Sequence, residues 1–250
     1  MRDIVIITGA SRGIGAATAR LLGREKAAVA VNYRSDRAQA DAVVADIKAA
    51  GGDAFALQGD VGSEDDMMRL FAETDRVFGT LTGLVNNAGV IGGEKRRAEA
   101  ITFATVMDVM RINVAGAFVC AREAVKRMST KHGGKGGAIV NVSSLGALTG
   151  SPRAFIDYAA SKGAMDTMTI GLAAETADCG IRVNAVRPGL IDTDIHQGVG
   201  IPDRVKRFGP AMPVGRAGTP QEVAEAIVWL LSDKASYVTG DFINVTGGAR

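Results

Sequence analysis

Short apolar runs alternate along this chain with longer amphipathic runs. The apolar runs predict strands at Ile4–Ile7, Ala28–Asn32, Ala54–Leu57, Leu84–Asn86, Ala138–Val142, Arg182–Val186 and Phe242–Val245. The amphipathic runs predict helices at Ile14–Arg24, Asp36–Ala50, Glu64–Phe78, Ile101–Met128, Tyr158–Cys179 and Pro220–Ser232. Strands that alternate with helices form right-handed crossovers and a parallel sheet, and strands without polar alternation are buried on both faces. The pattern therefore predicts an α/β fold, a doubly wound parallel sheet with helices on both faces.

Composition narrows the class of protein. The chain has 250 residues, of which 47% are hydrophobic, so we expect one large domain over residues 1–250. The net charge of +2 and the charged fraction of 22% favour neither a disordered chain nor a nucleic-acid-binding protein. No signal peptide precedes the first strand, and no uncharged run of about 18 apolar residues follows. We therefore expect a cytoplasmic protein without a membrane partner.

Two further features concern the cysteines and one irregular segment. Cys120 and Cys179 lie far apart and lack metal-ligand spacing. They predict two reduced thiols in the core and no metal site. Residues 194–216 are rich in glycine and proline, and we predict that they form a mobile lid over a site.

A glycine-rich segment, Thr8–Gly15, follows the first predicted strand and opens the first predicted helix. In this context glycines allow a tight turn, a close backbone approach to a pyrophosphate, and close packing of helix on strand. The helix N-terminus adds free N–H groups and a partial positive charge. The segment predicts a dinucleotide cradle with the cofactor-binding residues Gly9, Ser11, Arg12, Gly13, Ile14 and Gly15.

The end of the second predicted strand bears on which dinucleotide binds. It reads Asn32-Tyr33-Arg34, whereas an NAD site usually has a carboxylate there for the ribose hydroxyls. Arg12 and Arg34 could both reach a 2′-phosphate, so we predict NADP(H) rather than NAD(H). Asp36 leaves the alternative open, because a carboxylate turned back toward the ribose would favour NAD(H).

Tyr158 and Lys162 are four positions apart in a predicted helix, so both project from one face. Hydride transfer leaves charge on a substrate oxygen, which needs a proton donor or acceptor. A free tyrosine, with a pKa near 10, is a poor base at neutral pH. A cation about 4 Å away, at an effective dielectric near 20, is worth roughly 4 kcal/mol. We therefore predict that Tyr158 is the general acid/base and that Lys162 lowers its pKa.

Several short motifs in this order give the chain a family resemblance over nearly its full length. They are Thr8–Gly15, Asp60-Val61, Asn86–Gly89, Asn113, Ser143-Ser144, Tyr158–Lys162, Pro188-Gly189 and Val245–Gly248. With these motifs the chain resembles the short-chain dehydrogenase/reductase family. Within that family it is most similar to the bacterial branch of sugar (glucose) dehydrogenases and 3-oxoacyl-carrier-protein reductases. The resemblance implies a seven-stranded Rossmann-type sheet and a homotetramer.

The resemblance also implies roles for individual residues. Asp60 and Val61 would edge the adenine, Asn86, Asn87, Ala88 and Gly89 would line the cofactor, and Pro188, Gly189, Ile191 and Thr193 would frame the nicotinamide. Lys162 would hold the ribose, Ser144 would donate a hydrogen bond to the substrate oxygen, and Asn113 would hold a water that links Lys162 to solvent. Ser144 lies 14 residues before Tyr158, one more than the commonest family spacing.

The expected function is an NADP(H)-dependent interconversion of an alcohol and a carbonyl on a small-molecule substrate. Asp157, Asp194 and His196 favour a sugar or polyol, whereas Arg153 or Arg207 could meet the phosphopantetheine of a 3-oxoacyl thioester. The alternative is a noncatalytic NADPH-binding protein that senses redox state. The charge run at residues 94–97 is interpreted as a solvated loop.

Overall fold

Seven parallel strands form one sheet in the computed structural model, which describes residues 3–195 and 203–250. The strands are β1 (Ile4–Ile7), β2 (Ala28–Tyr33), β3 (Asp53–Gln58), β4 (Gly83–Asn86), β5 (Gly137–Val142), β6 (Ile181–Pro188) and β7 (Phe242–Val245). Their order across the sheet is β3-β2-β1-β4-β5-β6-β7. The predicted doubly wound Rossmann-type sheet is confirmed.

The helices follow the predicted pattern with two differences. They are α1 (Gly13–Arg24), α2 (Arg37–Ala49), α3 (Glu64–Phe78), α4 (Phe103–Met110), α5 (Gly116–Met128), α6 (Gly146–Thr149), α7 (Ile156–Thr176), α8 (Arg204–Phe208) and α9 (Pro220–Leu231). A π-helical turn, Arg111–Ala115, divides the long predicted helix into α4 and α5. The short helices α6 and α8 were not predicted, because one turn of helix shows no readable periodicity.

The core lies on both faces of the sheet. Along β1, Val5 and Ile7 belong to the cluster under α1, α2 and α9, while Ile6 belongs to the cluster under α3 and α5. Because side chains alternate across a strand, each buried strand supplies both layers. The strand order reverses between β1 and β4, and in open parallel sheets ligands bind at the carboxyl ends of the strands beside such a reversal.

Both cysteines lie in this core, as the sequence predicts. Burial raises the pKa of Cys120 to about 12, so its thiol stays protonated and inert. The segment that carries it, Phe103–Met128, is long and apolar enough to span a membrane by length and composition alone. The segment contains Asp108 and Arg111, and the core helix of a globular protein passes the same test. The boundaries of one domain over residues 1–250 and of a lid over residues 194–216 stay predictions.

Candidate active site

A cavity of about 720 Å³ opens at the carboxyl ends of the strands and joins the glycine-rich segment to Ser144, Tyr158 and Lys162. Sixteen of the predicted cofactor residues line it: Gly9, Ser11, Arg12, Gly13, Ile14, Asn32, Arg34, Asp60, Val61, Asn87, Ala88, Gly89, Pro188, Gly189, Ile191 and Thr193. Gly15, Tyr33 and Asn113 do not line the cavity, and neither does Asn86. The fold therefore brings most of the predicted cofactor-binding residues and most of the predicted catalytic residues to one cavity.

Four hydrogen bonds join the glycine-rich segment to the loop that follows β4, and we call this connection between Thr8–Gly9 and Asn87–Ala88 the clasp. The hydroxyl of Thr8 accepts hydrogen bonds from the backbone N–H groups of Asn87 and Ala88, both at 3.0 Å. The side chain of Asn87 donates to the carbonyls of Thr8 and Gly9, at 2.8 and 2.9 Å. A Cβ atom on Gly15 would lie 2.5 Å from Nδ2 of Asn87. Glycine at this position therefore lets α1 approach the clasp.

The start of α1 suits a dinucleotide's phosphates. Arg12 occupies the N-cap position without a side-chain cap, and the first turn holds no acidic residue. Gly9 and Gly13 have φ angles of 62° and 56°, a region that favours glycine. The uncapped N–H groups and the helix dipole thus meet the cavity where phosphates would bind. These residues fit the predicted cofactor.

Three predicted cofactor residues lie at or just after the end of β2 and have different surroundings. Asn32 is buried, where its Oδ1 accepts from the backbone N–H of Gly9 at 3.1 Å and its Nδ2 donates to the carbonyl of Gly59 at 3.1 Å. Tyr33 is buried in the core, since its side chain points to the other face of the strand. Arg34 is exposed at the cavity, and among the described residues its guanidinium has no partner. Asn32 therefore braces the glycine segment.

Asp36, the residue that leaves NAD(H) as an alternative, acts as a helix cap. Its carboxylate accepts a hydrogen bond from the backbone N–H of Gln39 at 3.0 Å and begins α2. N-cap contacts of this kind stabilise a helix by roughly 1 kcal/mol. Turning the carboxylate toward a ribose would break the hydrogen bond from Gln39.

Tyr158, Ser144 and Lys162 meet at the other end of the cavity. The hydroxyl of Ser144 is hydrogen-bonded to Tyr158. The Nζ of Lys162 donates to the carbonyl of Val142 at 2.7 Å and lies 5.7 Å from the centroid of the Tyr158 ring. Burial lowers the pKa of Lys162 to about 8, although the charge of Asp166 acts in the opposite direction.

The pKa of Tyr158 is shifted by burial and by two neighbouring groups. Burial raises its pKa above the ordinary value of 10, while the hydrogen bond from Ser144 and the charge of Arg204 lower it. Lys162 is not among the groups that shift this pKa, because burial lowers its own pKa to about 8 and leaves it uncharged where the phenol titrates. The lowering of the Tyr158 pKa by Lys162 stays a prediction.

The two neighbouring serines have different partners. The hydroxyl of Ser143 donates to Oδ1 of Asp166 at 2.5 Å, and Asp166 in turn pairs with Arg187 at 2.9 Å. The hydroxyl of Ser144 instead accepts from the backbone N–H of Gly146 at 3.0 Å and bonds to Tyr158. Ser144 is thus the serine whose hydroxyl faces the proposed acid/base.

Asn113 lies in the π-helical turn and ties the floor of the cavity to α7. Its side chain accepts from the backbone N–H of Val90 at 2.8 Å. Its Nδ2 donates to the carbonyl of Val90 and to Oγ of Ser161, both at 2.9 Å. Both amide hydrogens are therefore used within the protein. A water at this residue would therefore donate to an acceptor, either the second lone pair of Oδ1 or the main-chain carbonyl.

The predicted solvated loop at residues 94–97 is wrong for Arg96. Its side chain, 12% exposed, pairs with the carboxylate of Asp157, which is 1% exposed. This ion pair joins the β4–α4 loop to the first turn of α7, one residue before Tyr158. Among the described residues, Nε of Arg96 and Oδ1 of Asp157 are buried without a hydrogen-bond partner. Asp157 is therefore committed to Arg96 and is unavailable to a polyol.

One charged residue among those that line the cavity was missed by the sequence analysis. Arg204, at the start of α8, lines the cavity, and its guanidinium carbon lies 5.4 Å from the centroid of the Phe155 ring. Nothing in the glycine- and proline-rich sequence around Arg204 distinguishes it from its exposed neighbours Lys206 and Arg207. His196 lies outside the described residues. Across residues 3–195 and 203–250, no group of three or more His, Cys, Asp or Glu side chains could hold a metal.

Comparison with known proteins agrees with this geometry. A family model described as enoyl-(acyl carrier protein) reductase matches residues 9–250. The uncharacterized oxidoreductase YgfF of Escherichia coli is 52% identical over 98% of this chain and 99% of its own length. Glucose 1-dehydrogenase 2 of Bacillus subtilis is 39% identical, over 97% and 93%. The 3-oxoacyl-[acyl-carrier-protein] reductase FabG of Staphylococcus aureus is 37% identical, over 99% and 98%.

A solved structure shares the fold as well. A variant of a short-chain dehydrogenase/reductase from Serratia marcescens superimposes with a TM-score of 0.89 at 30% identity, covering 98% of this chain and 97% of the other. The chain belongs to the short-chain dehydrogenase/reductase family. It is an oxidoreductase of the NAD(P)-dependent type that this family comprises.

The ion pair beside Tyr158 gives a stability prediction. Arg96→Ala leaves the buried carboxylate of Asp157 without its counter-charge, so we expect a loss of about 3–5 kcal/mol in the free energy of unfolding. Arg97→Ala is the matched control, because Arg97 is 71% exposed and pairs with Glu99 on the surface. We expect that control to change stability by less than about 0.5 kcal/mol. Urea denaturation at fixed protein concentration measures both values, and equal losses would contradict the assigned burial.

Proposed function

We propose that this chain is an NADP(H)-dependent oxidoreductase that interconverts an alcohol and a carbonyl by hydride transfer, with Tyr158 as general acid/base. The proposal is carried by the cavity that joins an uncapped helix N-terminus at one end to the Ser144–Tyr158 hydrogen bond at the other. A protein that only binds a dinucleotide has no need of a proton-transfer group at the far end.

When bound, a nicotinamide cofactor supplies or accepts the hydride. In reduction, Tyr158 donates its proton to the substrate oxygen, and a raised pKa keeps the phenol protonated and ready to do so at neutral pH. In oxidation, the same oxygen accepts the proton. Ser144 turns the one hydrogen of its hydroxyl from Tyr158 to the substrate oxygen and so orients the substrate. Lys162 keeps one donor free after its bonds to the Val142 carbonyl and the Met165 sulfur, and this donor would hold the ribose.

The preference for NADP(H) rests on charge at the adenosine end. Arg12 and Arg34 line the cavity, and neither guanidinium has a hydrogen-bond or ion-pair partner within the described part of the chain. The carboxylate of Asp36 is engaged at the start of α2. A 2′-phosphate would therefore meet two available cations and no opposing free carboxylate.

Replacing the proposed acid/base tests the chemistry. Tyr158→Phe removes the proton donor but keeps the ring, so we expect kcat to fall about 10²–10⁴-fold. The Kd of NADPH, measured by fluorescence titration, should stay unchanged. Tyr237→Phe is the control, because Tyr237 does not line the cavity and the change keeps its ring. The substrate panel comprises sugars, small ketones and 3-oxoacyl thioesters. Activity retained by Tyr158→Phe would overturn the mechanism, and a wild-type protein that binds NADPH without turnover would favour the redox-sensing alternative.

Cofactor choice has its own test. Arg34→Ser removes one charge-assisted contact to a 2′-phosphate, so we expect the ratio of kcat/KM with NADPH to that with NADH to fall about 10- to 100-fold. Arg37→Ser is the control, because Arg37 pairs with Asp41 on the outer face of α2. A wild-type preference for NADH, or the same ratio in both variants, would refute the assignment.

We propose a substrate of one of two classes, either a sugar or polyol or a 3-oxoacyl thioester. Relatives named for glucose and for 3-oxoacyl-carrier-protein support them equally. At the substrate end, Ile91, Leu145 and Phe155 supply apolar walls. We propose that residues 194–216 act as a lid there, since Ile195, Arg204 and Met212 of that segment line the same cavity.

We propose a cytoplasmic homotetramer that has no nucleic-acid or membrane partner. Two groups of exposed apolar side chains support the tetramer: Phe103, Met107, Phe118 and Ile170 on α4, α5 and α7, and Trp229 and Tyr237 at the end of the chain that forms α9 and β7. Patches of this kind on a globular protein mark interaction sites.

Light scattering after size exclusion tests the assembly. The wild type should elute at four times the chain mass. Phe118→Glu places a charge in the first patch, so we expect a smaller species. Val77→Glu is the control, because Val77 is similarly exposed, 41% against 48% for Phe118, and lies outside both patches. A monomeric wild type, or equal dissociation of both variants, would contradict the proposal.

A further inference from the structure

Arg204 is a partly buried cation at the substrate end of the cavity. It lies at the start of α8 and stacks over Phe155, with 5.4 Å between the guanidinium carbon and the ring centroid. Phe155 is itself buried, 3% exposed, and therefore holds the guanidinium plane in place. Within residues 3–195 and 203–250, packing, with no counter-ion, sets the position of Arg204.

The other partly buried arginines near the site all have carboxylate partners. Arg96 pairs with Asp157, and Arg187 pairs with Asp166. Arg204 has no hydrogen bond and no ion pair among the described residues. Its five N–H donors are therefore left for a ligand in the cavity.

A half-buried guanidinium without a counter-charge is destabilised, and the groups around Arg204 supply none within the described residues. Burial lowers the pKa of Arg204, and the nearby Tyr158 opposes that change. Lys162, which lies over the Tyr158 ring, has the same sign of charge. The acidic residue at this end of the cavity, Asp194, has an interaction of its own. A half-buried guanidinium gains stability when an anion completes its hydrogen bonds.

We infer that Arg204 binds a carboxylate or phosphate of the substrate, so that this site favours anionic carbonyl compounds, and the matching alcohols, over neutral ones. This inference rests on the proposed function, because it names the substrate class of the same site. Arg204 interacts electrostatically with Tyr158, so the anionic group lies near the reacting oxygen. An oxo acid, a sugar acid or a phosphorylated sugar meets this requirement.

Matched pairs of carbonyl probes test the inference. The carboxylate arm compares acetoacetate with methyl acetoacetate, and the phosphate arm compares dihydroxyacetone phosphate with dihydroxyacetone. We expect kcat/KM of the wild type to be higher for the anion in at least one arm. Arg204→Met keeps the length of the side chain without its charge, so kcat/KM for that anion should fall about tenfold or more. The value for its neutral partner should change less than about twofold.

Two further variants separate charge from structure. Arg204→Lys keeps a cation and should retain part of the preference for the anion, in KM more than in kcat. Lys206→Met removes a charge from the exposed side of the same helix and should leave both probes unchanged. Equal losses for anionic and neutral probes in Arg204→Met would overturn the inference, because Arg204 would then act through Tyr158. A wild type that prefers the neutral member of both pairs would overturn it too.

Calorimetric binding keeps the inference independent of turnover. In the presence of saturating NADP⁺, acetoacetate or dihydroxyacetone phosphate should bind the wild type at least about tenfold more tightly than Arg204→Met. Equal binding by the two proteins contradicts the inference, even if hydride transfer proceeds. Arg204-dependent binding without any turnover supports the inference and contradicts the proposed function. A weaker Kd for NADPH in Arg204→Met would instead assign Arg204 to the cofactor.

Discussion

The site depends on the clasp between the loop after β1 and the loop after β4. Parallel strands deliver both loops to one edge of the sheet, but the sheet alone leaves them free to separate. The Thr8 hydroxyl closes that gap, since it accepts two backbone N–H groups at once. The amide of Asn113 then extends the connection from Val90 to Ser161, and so to α7. Hydrogen bonds and the short stretch of main chain between Ala88 and Val90 thus fix the glycine-rich end of the cavity relative to Tyr158.

Burial, more than any single charge, sets the electrostatics at the other end. It raises the pKa of Tyr158 and lowers the pKa of Lys162 to about 8, so it moves both groups toward their neutral forms. Arg204 and Ser144 oppose this effect at the phenol. The proton-transfer group therefore responds to the segment around α8 as well as to its own helix, and substrate binding and proton transfer share one electrostatic environment.

The sequence predicts what depends on local pattern. All seven strands were recoverable because each is a short apolar run. The turn before α1 was recoverable because Gly9 and Gly13 take positive φ angles that favour glycine. The pairing of Arg96 with Asp157 was not recoverable, because it depends on packing between distant parts of the chain. The two residues of that ion pair are 61 positions apart. The rise that burial causes in the pKa of Tyr158 was not recoverable either, since spacing along a helix says nothing about desolvation.

Different segments of the chain supply the different parts of the proposed site, which explains why the substrate is the feature least predictable from the sequence. The proposed phosphate site lies at the β1–α1 turn and the proposed proton-transfer group on α7, and in both places strand ends and helix starts hold the side chains within narrow limits. The proposed substrate contact comes from the segment after β6, where the short helix α8 places Arg204 over Phe155. A surface segment between regular elements can change its side chains with little loss of stability. Under the proposed function, a cation there would alter the charge of the acceptable substrate and leave the reaction itself intact, so specificity and chemistry could vary independently in this fold.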